Sequence, residues 1–179
     1  MKFVEQSLAG VVLIVPEVFK DHRGAFRRNF CTKELADNGI EFSVCQGNIS
    51  ENPTQYTMRG FHYQKSPSRE SKIITTISGS VYNVVVDLRV SSKTYLNWVA
   101  IDLSAARRDS LHVPAGCANA FLTTEMNTVV HYYMGDHFRS ETYSGFRYND
   151  PHFAVEWPRE PVIISDRDAT FADFSDVQL

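Results

Sequence analysis

The alternation of short strand-like runs with turn residues is the feature that most constrains what this chain can fold into. The runs are rich in Val, Ile, Thr, Tyr and Phe, and turn signals such as Ser78-Gly79-Ser80 separate them. Branched and aromatic residues favour pleated strands, whereas clusters of Gly, Pro and Ser favour turns. The pattern predicts strands at Val11–Val15, Phe26–Cys31, Phe42–Ser50, Tyr56–Tyr63, Lys72–Ser78, Val81–Leu88, Leu96–Leu103, Ser110–Val113, Ala118–Thr123 and Thr128–Met134.

Helix signals are few. Thr32 is expected to cap a short helix over Lys33–Asn38 that Gly39 ends, and Ser104 to cap one turn through Arg107. Many short strands with almost no helix are typical of a β-sandwich, a jelly roll or a small barrel. We therefore predict an all-β chain, with the aromatic and acidic stretch 151–179 wrapped over it.

The bulk composition limits the partners. The chain has 179 residues, 43% of them hydrophobic and 22% charged, which fits one globular domain over residues 1–179. The net charge of −3 gives little support for binding nucleic acid or an acidic membrane. Neither partner is expected.

The cysteines and the N-terminus favour a cytoplasmic protein. Cys31, Cys45 and Cys117 are widely spaced and form no CxxC pair, which is typical of a reducing compartment. The apolar run Val11–Val15 is too short to span a membrane, and no basic cluster precedes it. We expect no signal peptide.

The segment 58–64 is the first candidate for chemistry. Strand alternation turns His62 one way and Arg59 the other, and Gly60 between them indicates a bulge or a close backbone approach. A bulge would let Arg59 and His62 share one cavity. Taken alone, the segment is more typical of a surface arginine and a structural histidine.

Three more polar positions have structural interpretations, and two of them also have a functional one. If Ile74 paired with Asn83 in a hairpin, Lys72 would lie diagonally beside Asn83. Lys72 would then either form a structural polar contact or stabilise an oxyanion. Tyr132 shares a strand face with apolar residues and is typical of a core tyrosine. The polar stretch 165–168 is typical of a solvated turn, although a carboxylate there is also suited to orienting a histidine.

A resemblance resolves these alternatives. In order along nearly the whole chain, several stretches resemble the dTDP-4-dehydrorhamnose 3,5-epimerase family, which implies a cupin-like jelly-roll β-barrel with short peripheral helices. The stretches are DHRGAF at 21–26, QGNIS at 46–50, RGFHYQ at 59–64, GSVYNVVVDLR at 79–89, PAG at 114–116, YNDP at 148–151 and ISDRD at 164–168.

The resemblance implies a set of catalytic roles. His62 is expected to be the base, with Asp168 as its orienting carboxylate. Lys72 is expected to stabilise the oxyanion at C4 of the sugar, and Tyr132 to return a proton from the opposite face. The implied reaction is epimerisation at C3, C5 or both of a nucleoside diphosphate 4-keto-6-deoxyhexose.

The resemblance also implies binding roles. Arg59 is expected to hold the diphosphate, with Gln46 and Asn48 nearby. Arg23 and Phe26 match residues that reach the nucleotide from a partner subunit, which implies a homodimer.

No cofactor or metal is implied by the motifs. Where metal-binding cupins carry two histidines one residue apart, this chain has His62 alone, and the second motif ends in Asn119.

Four positions depart from the family pattern. The family usually has an acidic residue at Arg28, in the strand that contacts the nucleotide, and a histidine at Asn119, near the phosphates. It usually has a tyrosine at Phe138, near the site, and an aspartate at Asn83, beside the catalytic lysine. Arg28, Asn119 and Phe138 are therefore expected among the substrate-binding residues. Because of Arg28, the nucleotide of the substrate is either dTDP or CDP. Because of Asn83, the carbon that is inverted is C3, C5 or both. Two rival functions remain: a 3,4-ketoisomerase on the same substrate class, and a non-catalytic cupin that binds a nucleotide sugar.

Overall fold

The computed structural model describes residues 1–175. The elements within that range are almost all strands. They are β1 (Lys2–Glu5), β2 (Val12–Val15), β3 (Val18–Asp21), β4 (Gly24–Arg27), α1 (Thr32–Asp37), β5 (Gln46–Asn52), β6 (Met58–Gln64), β7 (Lys72–Ser78), β8 (Ser80–Asp87), β9 (Trp98–Ser104), β10 (Ser110–Val113), β11 (Cys117–Thr123), β12 (Thr128–Met134), β13 (Tyr143–Gly145) and α2 (Asp166–Thr170).

Two antiparallel sheets form the body of the protein. One sheet has the order β1-β2-β10-β7-β12-β5 and the other β13-β6-β11-β8-β9, while β3 and β4 form a separate hairpin. Apolar side chains of both sheets meet in one core cluster, which includes Leu13, Ile74, Val85, Leu111 and Val130. Full burial of each such side chain stabilises the fold by roughly 1.5–3 kcal/mol. The predicted all-β class is confirmed.

The strongest strand patterns predicted their elements well. The bounds of β7, β10 and β12 are those expected from the sequence. Strands β1, β3 and β13 were not predicted because they are only three or four residues long. In addition, β1 and β3 contain no fully buried residue, so their sequences show no alternation of apolar and polar residues. The predicted strand from Phe26 ends at Arg27, and the one from Phe42 begins only at Gln46.

The hairpin between β7 and β8, in which Lys72 would have been beside Asn83, does not form. Strand β7 pairs with β10 and β12, whereas β8 pairs with β9 and β11 in the facing sheet. Gly79 between them has a φ of +70°, and the chain crosses from one sheet to the other there. Ile74 therefore pairs with Tyr132 and Leu111, and Asn83 pairs with Phe121 and Ile101.

The helical predictions were partly correct. Helix α1 ends before Gly39, which has a φ of +75°, but Cys31 occupies its N-cap position instead of Thr32. Ser104 accepts a hydrogen bond from the Arg107 N–H at 3.2 Å and caps a turn that does not continue into a helix. The stretch predicted as a solvated turn contains the start of α2, where Ser165 caps the helix by accepting from the Asp168 N–H.

The outer face of the five-stranded sheet is covered by the C-terminal stretch. Phe61, Val84 and Phe146 pack there against Phe153 and Trp157. The predicted wrapping is confirmed as far as residue 175, and residues 176–179 lie outside the described part. This packing delivers α2 to the edge of β6, next to His62.

Candidate active site

A cavity of about 470 Å³ is lined by side chains from both sheets. Its size is within the range of small-molecule sites. The lining residues are Gln46, Asn48, Ser50, Arg59, His62, Glu70, Lys72, Ile74, Asn119, Phe121, Val130, Tyr132, Met134, Phe138 and Tyr143. Eight of the residues predicted from the sequence are among them: His62, Lys72, Tyr132, Arg59, Gln46, Asn48, Asn119 and Phe138.

His62 and Asp168 form the pair that the resemblance implied. His62 Nε2 lies 2.8 Å from Asp168 Oδ1, and the Asp168 side chain is 7% exposed. The second oxygen of Asp168 accepts from the Gly60 N–H at 3.0 Å. The Gly60 N–H therefore fixes one carboxylate oxygen of Asp168, and the other oxygen orients the imidazole of His62.

The Asp168 carboxyl remains ionised in this setting. Burial raises the pKa of Asp168, but hydrogen bonds from His62 and the Gly60 N–H outweigh it, so the pKa lies below its ordinary value. An ionised acceptor requires a proton on His62 Nε2, which places the lone pair of the neutral ring on Nδ1. Within residues 1–175, no protein group hydrogen-bonds to Nδ1.

Gly60 explains how Arg59 and His62 reach the same cavity. The pairing with β11 shifts between Asn119 and Phe121, so two residues of β6 lie opposite Ala120, as in the predicted bulge. Gly60 has a φ of +111°, and a Cβ there would lie 2.6 Å from the Asn119 carbonyl oxygen. Only glycine fits this position without displacing the neighbouring strand.

Lys72 is paired with a residue that the sequence reasoning missed. Lys72 Nζ lies 2.7 Å from Glu70 Oε1, and their side chains are 12% and 7% exposed. Asn83 instead accepts from Asn119 Nδ2 at 3.0 Å. Glu70, and not Asn83, therefore lies beside Lys72. The sequence signal for this pairing was weak: Glu70 is two residues before Lys72, which puts the two on the same face of an extended chain.

Tyr132 approaches the cavity from the sheet that faces His62. Tyr132 is in β12 of the six-stranded sheet, and His62 is in β6 of the five-stranded sheet. Val130 and Met134 line the cavity beside Tyr132, as the strand period predicted. The two groups are therefore delivered from opposite walls.

Tyr143 is the second residue that the sequence reasoning missed. Its ring centroid lies 5.3 Å from that of His62 and 5.4 Å from that of Phe138, and the Arg167 guanidinium lies 4.1 Å from its centroid. Burial and the charge of Asp168 raise the pKa of Tyr143 well above its usual range, so its hydroxyl stays protonated. No strand signal marks β13, and no motif pointed to Tyr143.

Polar side chains make up part of the cavity lining. Arg59 Nε donates to Asn52 Oδ1 at 2.8 Å, and Asn48 Nδ2 lies 3.0 Å from the Met134 sulfur. Gln46 accepts a hydrogen bond from the backbone N–H of Phe138. A guanidinium held through Nε keeps its terminal nitrogens available for an anion such as a phosphate.

The structure places three predicted binding residues outside this cavity. Arg23 pairs with Asp21 at 2.6 Å in the β3–β4 hairpin, and Phe26 in that hairpin is 71% exposed. Arg28 follows β4 and pairs with Glu34 at 2.7 Å. None of the three reaches the cavity of its own chain.

The donor set of the cavity does not match a metal site. His62 is its one imidazole, and the Asn119 amide is engaged with Asn83. In the part of the chain described, no group of three or more His, Cys, Asp or Glu side chains is placed to share an ion. The arrangement suits proton transfer between an imidazole, a phenol and a substrate.

Two facing antiparallel sheets around a cavity that holds an imidazole and a phenol are the arrangement expected of a cupin-type epimerase, which is an isomerase. The sequence model of the dTDP-4-dehydrorhamnose 3,5-epimerase family matches residues 5–176. The chain belongs to that family. The implied cupin-like fold and the isomerase class are thereby confirmed.

Three relatives illustrate the similarity, and the match covers 85% or more of the length of each. A dTDP-4-dehydrorhamnose 3,5-epimerase from Methanothermobacter thermautotrophicus is 34% identical over 93% of this chain and 91% of its own length. The structure of such an epimerase from Bacillus anthracis, with TDP and PPi bound, has a TM-score of 0.93 at 34% identity, covering 97% and 99% of the two chains. A 3'-monoepimerase from Streptomyces bikiniensis, in complex with dTDP-quinovose, has a TM-score of 0.87 at 27% identity, covering 94% and 85%.

Proposed function

We propose that this enzyme inverts C3, C5 or both of a nucleoside diphosphate 4-keto-6-deoxyhexose, with dTDP as the first candidate nucleotide. The observation that carries the proposal is the delivery of His62 and Tyr132 into one cavity from opposite sheets. Inversion at carbon needs one group to remove a proton and another to return one to the other face. The cavity offers both.

The first step is proton removal beside the ketone. The C4 carbonyl acidifies the hydrogens at C3 and C5, and His62 Nδ1 has the free lone pair that accepts one of them. The electrons of the broken C–H bond move to O4 and form an enolate. The Lys72 ammonium at the cavity wall stabilises this oxygen, because its fixed charge matches the charge that develops there.

The second step is proton return. The Tyr132 hydroxyl donates its proton to the opposite face of the same carbon, and the C4 carbonyl re-forms. His62 then carries one proton more and Tyr132 one fewer, and solvent exchange restores both. Asp168 assists throughout because its carboxylate stabilises the imidazolium that His62 becomes.

The nucleotide end of the substrate is assigned to the polar part of the cavity lining. Arg59 has terminal guanidinium nitrogens for the diphosphate, with Gln46 and Asn48 nearby. The relatives from Bacillus anthracis and Streptomyces bikiniensis hold TDP and a dTDP sugar, which supports dTDP for this chain. CDP is the alternative, since Arg28 replaces an acidic residue of the family.

A homodimer in the cytoplasm is part of the proposal. The six-stranded sheet exposes Ile49 (67%) and Ile77 (50%) in a groove that Phe26 also lines. A second copy over this face would bury these apolar side chains and could bring Arg23 and Phe26 to the partner's nucleotide. No helix within residues 1–175 is long and apolar enough to cross a bilayer.

Solvent deuterium tests the reaction. The enzyme is incubated with dTDP-4-keto-6-deoxyglucose in heavy water, and the sugar is analysed by mass spectrometry and proton NMR. Deuterium at C3 and C5 supports double epimerisation, and deuterium at one carbon supports a single inversion, as in a monoepimerase. A carbonyl shifted to C3 would instead identify a ketoisomerase. Absence of exchange on the dTDP, CDP and GDP sugars would leave only a binding protein.

Tyr132→Phe separates the two steps. Because His62 and Lys72 are kept, enolate formation and exchange should persist while inversion slows about a hundredfold. The measurement compares deuterium incorporation with the appearance of the inverted sugar in one NMR time course. Equal loss of both would make Tyr132 essential for enolate formation and would contradict its role as the returning acid.

A further inference from the structure

We propose that Glu70 is a positioning residue for catalysis, which holds the Lys72 ammonium where the enolate oxygen forms. This inference rests on the proposed function of the cavity. It assigns a role to a carboxylate that no motif identified, and it is carried by a buried network of contacts with Lys72 and Gln64.

The ion pair itself is the first observation. Lys72 Nζ and Glu70 Oε1 are 2.7 Å apart, both side chains are nearly buried, and both line the cavity. A lysine on a four-carbon stem has many rotamers, and a single short contact at its tip removes most of them. A buried ammonium without a partner would also be strongly destabilising. Glu70 therefore determines the position in which the Lys72 side chain meets the substrate.

Gln64 fixes the other end of the pair. Its Nε2 donates to Glu70 Oε2 at 2.7 Å and to the His137 carbonyl at 3.1 Å. Its Oε1 accepts from the Arg139 N–H at 2.7 Å and from the Thr142 hydroxyl at 3.0 Å. Because two donors face Oε1, the amide cannot turn over, and it presents an N–H to residue 70.

This geometry requires a carboxylate at residue 70. Glu70 lies between two donors, Lys72 Nζ and Gln64 Nε2, and only an ionised carboxylate accepts with both oxygens. A glutamine at the same place would turn an NH₂ group toward one of them. The ammonium has three N–H donors, and the contact with Glu70 uses one, so two remain for the enolate oxygen.

The test begins with Glu70→Gln, which keeps the size and removes the charge. We expect the kcat for epimerisation to fall about tenfold to a hundredfold, because a displaced ammonium stabilises the enolate poorly. KM should change less than threefold, since Arg59 and its neighbours hold the nucleotide. Glu156→Gln, a matched change at an exposed glutamate of the C-terminal stretch, is the control and should retain the wild-type rate.

A double-mutant cycle with Lys72→Ala distinguishes positioning from general support of the fold. If Glu70 acts through Lys72, adding Glu70→Gln to Lys72→Ala lowers the deuterium-exchange rate by less than twofold. A further loss equal to the single-variant factor would overturn the proposal. So would a Glu70→Gln enzyme with a kcat within twofold of wild type.

Two measurements keep the test decisive. Thermal unfolding and dTDP binding are recorded for every variant. If Glu70→Gln does not fold, Glu70→Asp enters the same cycle. The shorter carboxylate should lower kcat when Lys72 is present and lose that effect with Lys72→Ala, and an equal loss in both backgrounds would overturn the proposal. Failure of the wild-type enzyme to exchange any deuterium would refute the proposed function itself, a result separate from every outcome of the cycle.

Discussion

Asp87 and Asp168 are both buried carboxylates beside a cationic or basic side chain, yet their surroundings differ. Asp87 accepts hydrogen bonds from the backbone and side chain of Arg89 and from the Ser92 and Thr94 hydroxyls, all between 2.6 and 3.0 Å. Asp168 is held by His62 and Gly60, more than a hundred positions away in the chain.

The difference separates a structural site from a reactive one. The partners of Asp87 lie in the loop that follows β8, and they saturate both of its oxygens. His62, the partner of Asp168, lines the cavity and has one ring nitrogen to which no protein group in residues 1–175 is hydrogen-bonded. A saturated group contributes to stability, whereas reactivity needs an atom left without a protein partner.

The strongest test of this comparison is His62→Ala. Removal of the proposed base should lower deuterium exchange at both carbons at least about a thousandfold, while dTDP affinity changes little. Exchange is followed by NMR and binding by calorimetry. Turnover at the wild-type rate would show that Asp168 does not serve a base.

Asp168→Asn should have the next largest effect. The neutral amide cannot stabilise the imidazolium and allows the wrong tautomer, so kcat should fall about a hundredfold with little change in KM. Steady-state kinetics give both parameters, and circular dichroism checks the fold. Equal kcat values for the variant and the wild type would place Asp168 with the purely structural carboxylates.

Asp87→Asn should instead reduce stability. The loop holds the pKa of Asp87 at about 2, because the hydrogen bonds outweigh a burial that alone would raise it. A shift of this size corresponds to roughly 2 kcal/mol of unfolding free energy, or about thirtyfold in the unfolding equilibrium. Urea unfolding measures the loss, and kcat per folded molecule should stay within twofold. A large loss of kcat with unchanged stability would show that Asp87 serves catalysis and not stability.

The same shift predicts a pH dependence. The pKa of Asp87 is lower in the folded protein than in the unfolded chain, so its contribution is complete above the ordinary value of 3.8 and disappears as the pH falls toward about 2. Unfolding midpoints of the wild type and Asp87→Asn should therefore converge between these pH values. A constant difference down to pH 2 would mean that the loss does not come from the charge.

The smallest effect is expected from Tyr143→Phe. The ring contacts with His62 and Phe138 are kept, and only a protonated hydroxyl beside the cavity is removed. Loss of one neutral hydrogen bond to substrate should lower kcat/KM about twofold to tenfold. The control is Tyr148→Phe, at a surface tyrosine bonded to Glu160. A loss as large as that of His62→Ala would make Tyr143 part of the proton transfer.

Much of the site was predictable from the sequence. The bulge at Gly60 was predicted from a glycine inside a strand, and the face of Tyr132 from the period of β12. The pairing of His62 with Asp168 was implied by the family resemblance and not by any local pattern. Glu70 and Tyr143 were not predicted, because neither lies in a motif and Tyr143 is in a strand too short to show a period.

The sequence by itself determined the all-β class, the bounds of the strongest strands, the turns and the strand faces, because these depend on a two-residue period and on the conformations of single residues. Only the tertiary structure decided that β7 and β8 lie in facing sheets and that Glu70 pairs with Lys72. Those contacts depend on how strands from distant parts of the chain pair and pack across the core. No short segment contains the interactions that favour one pairing over another.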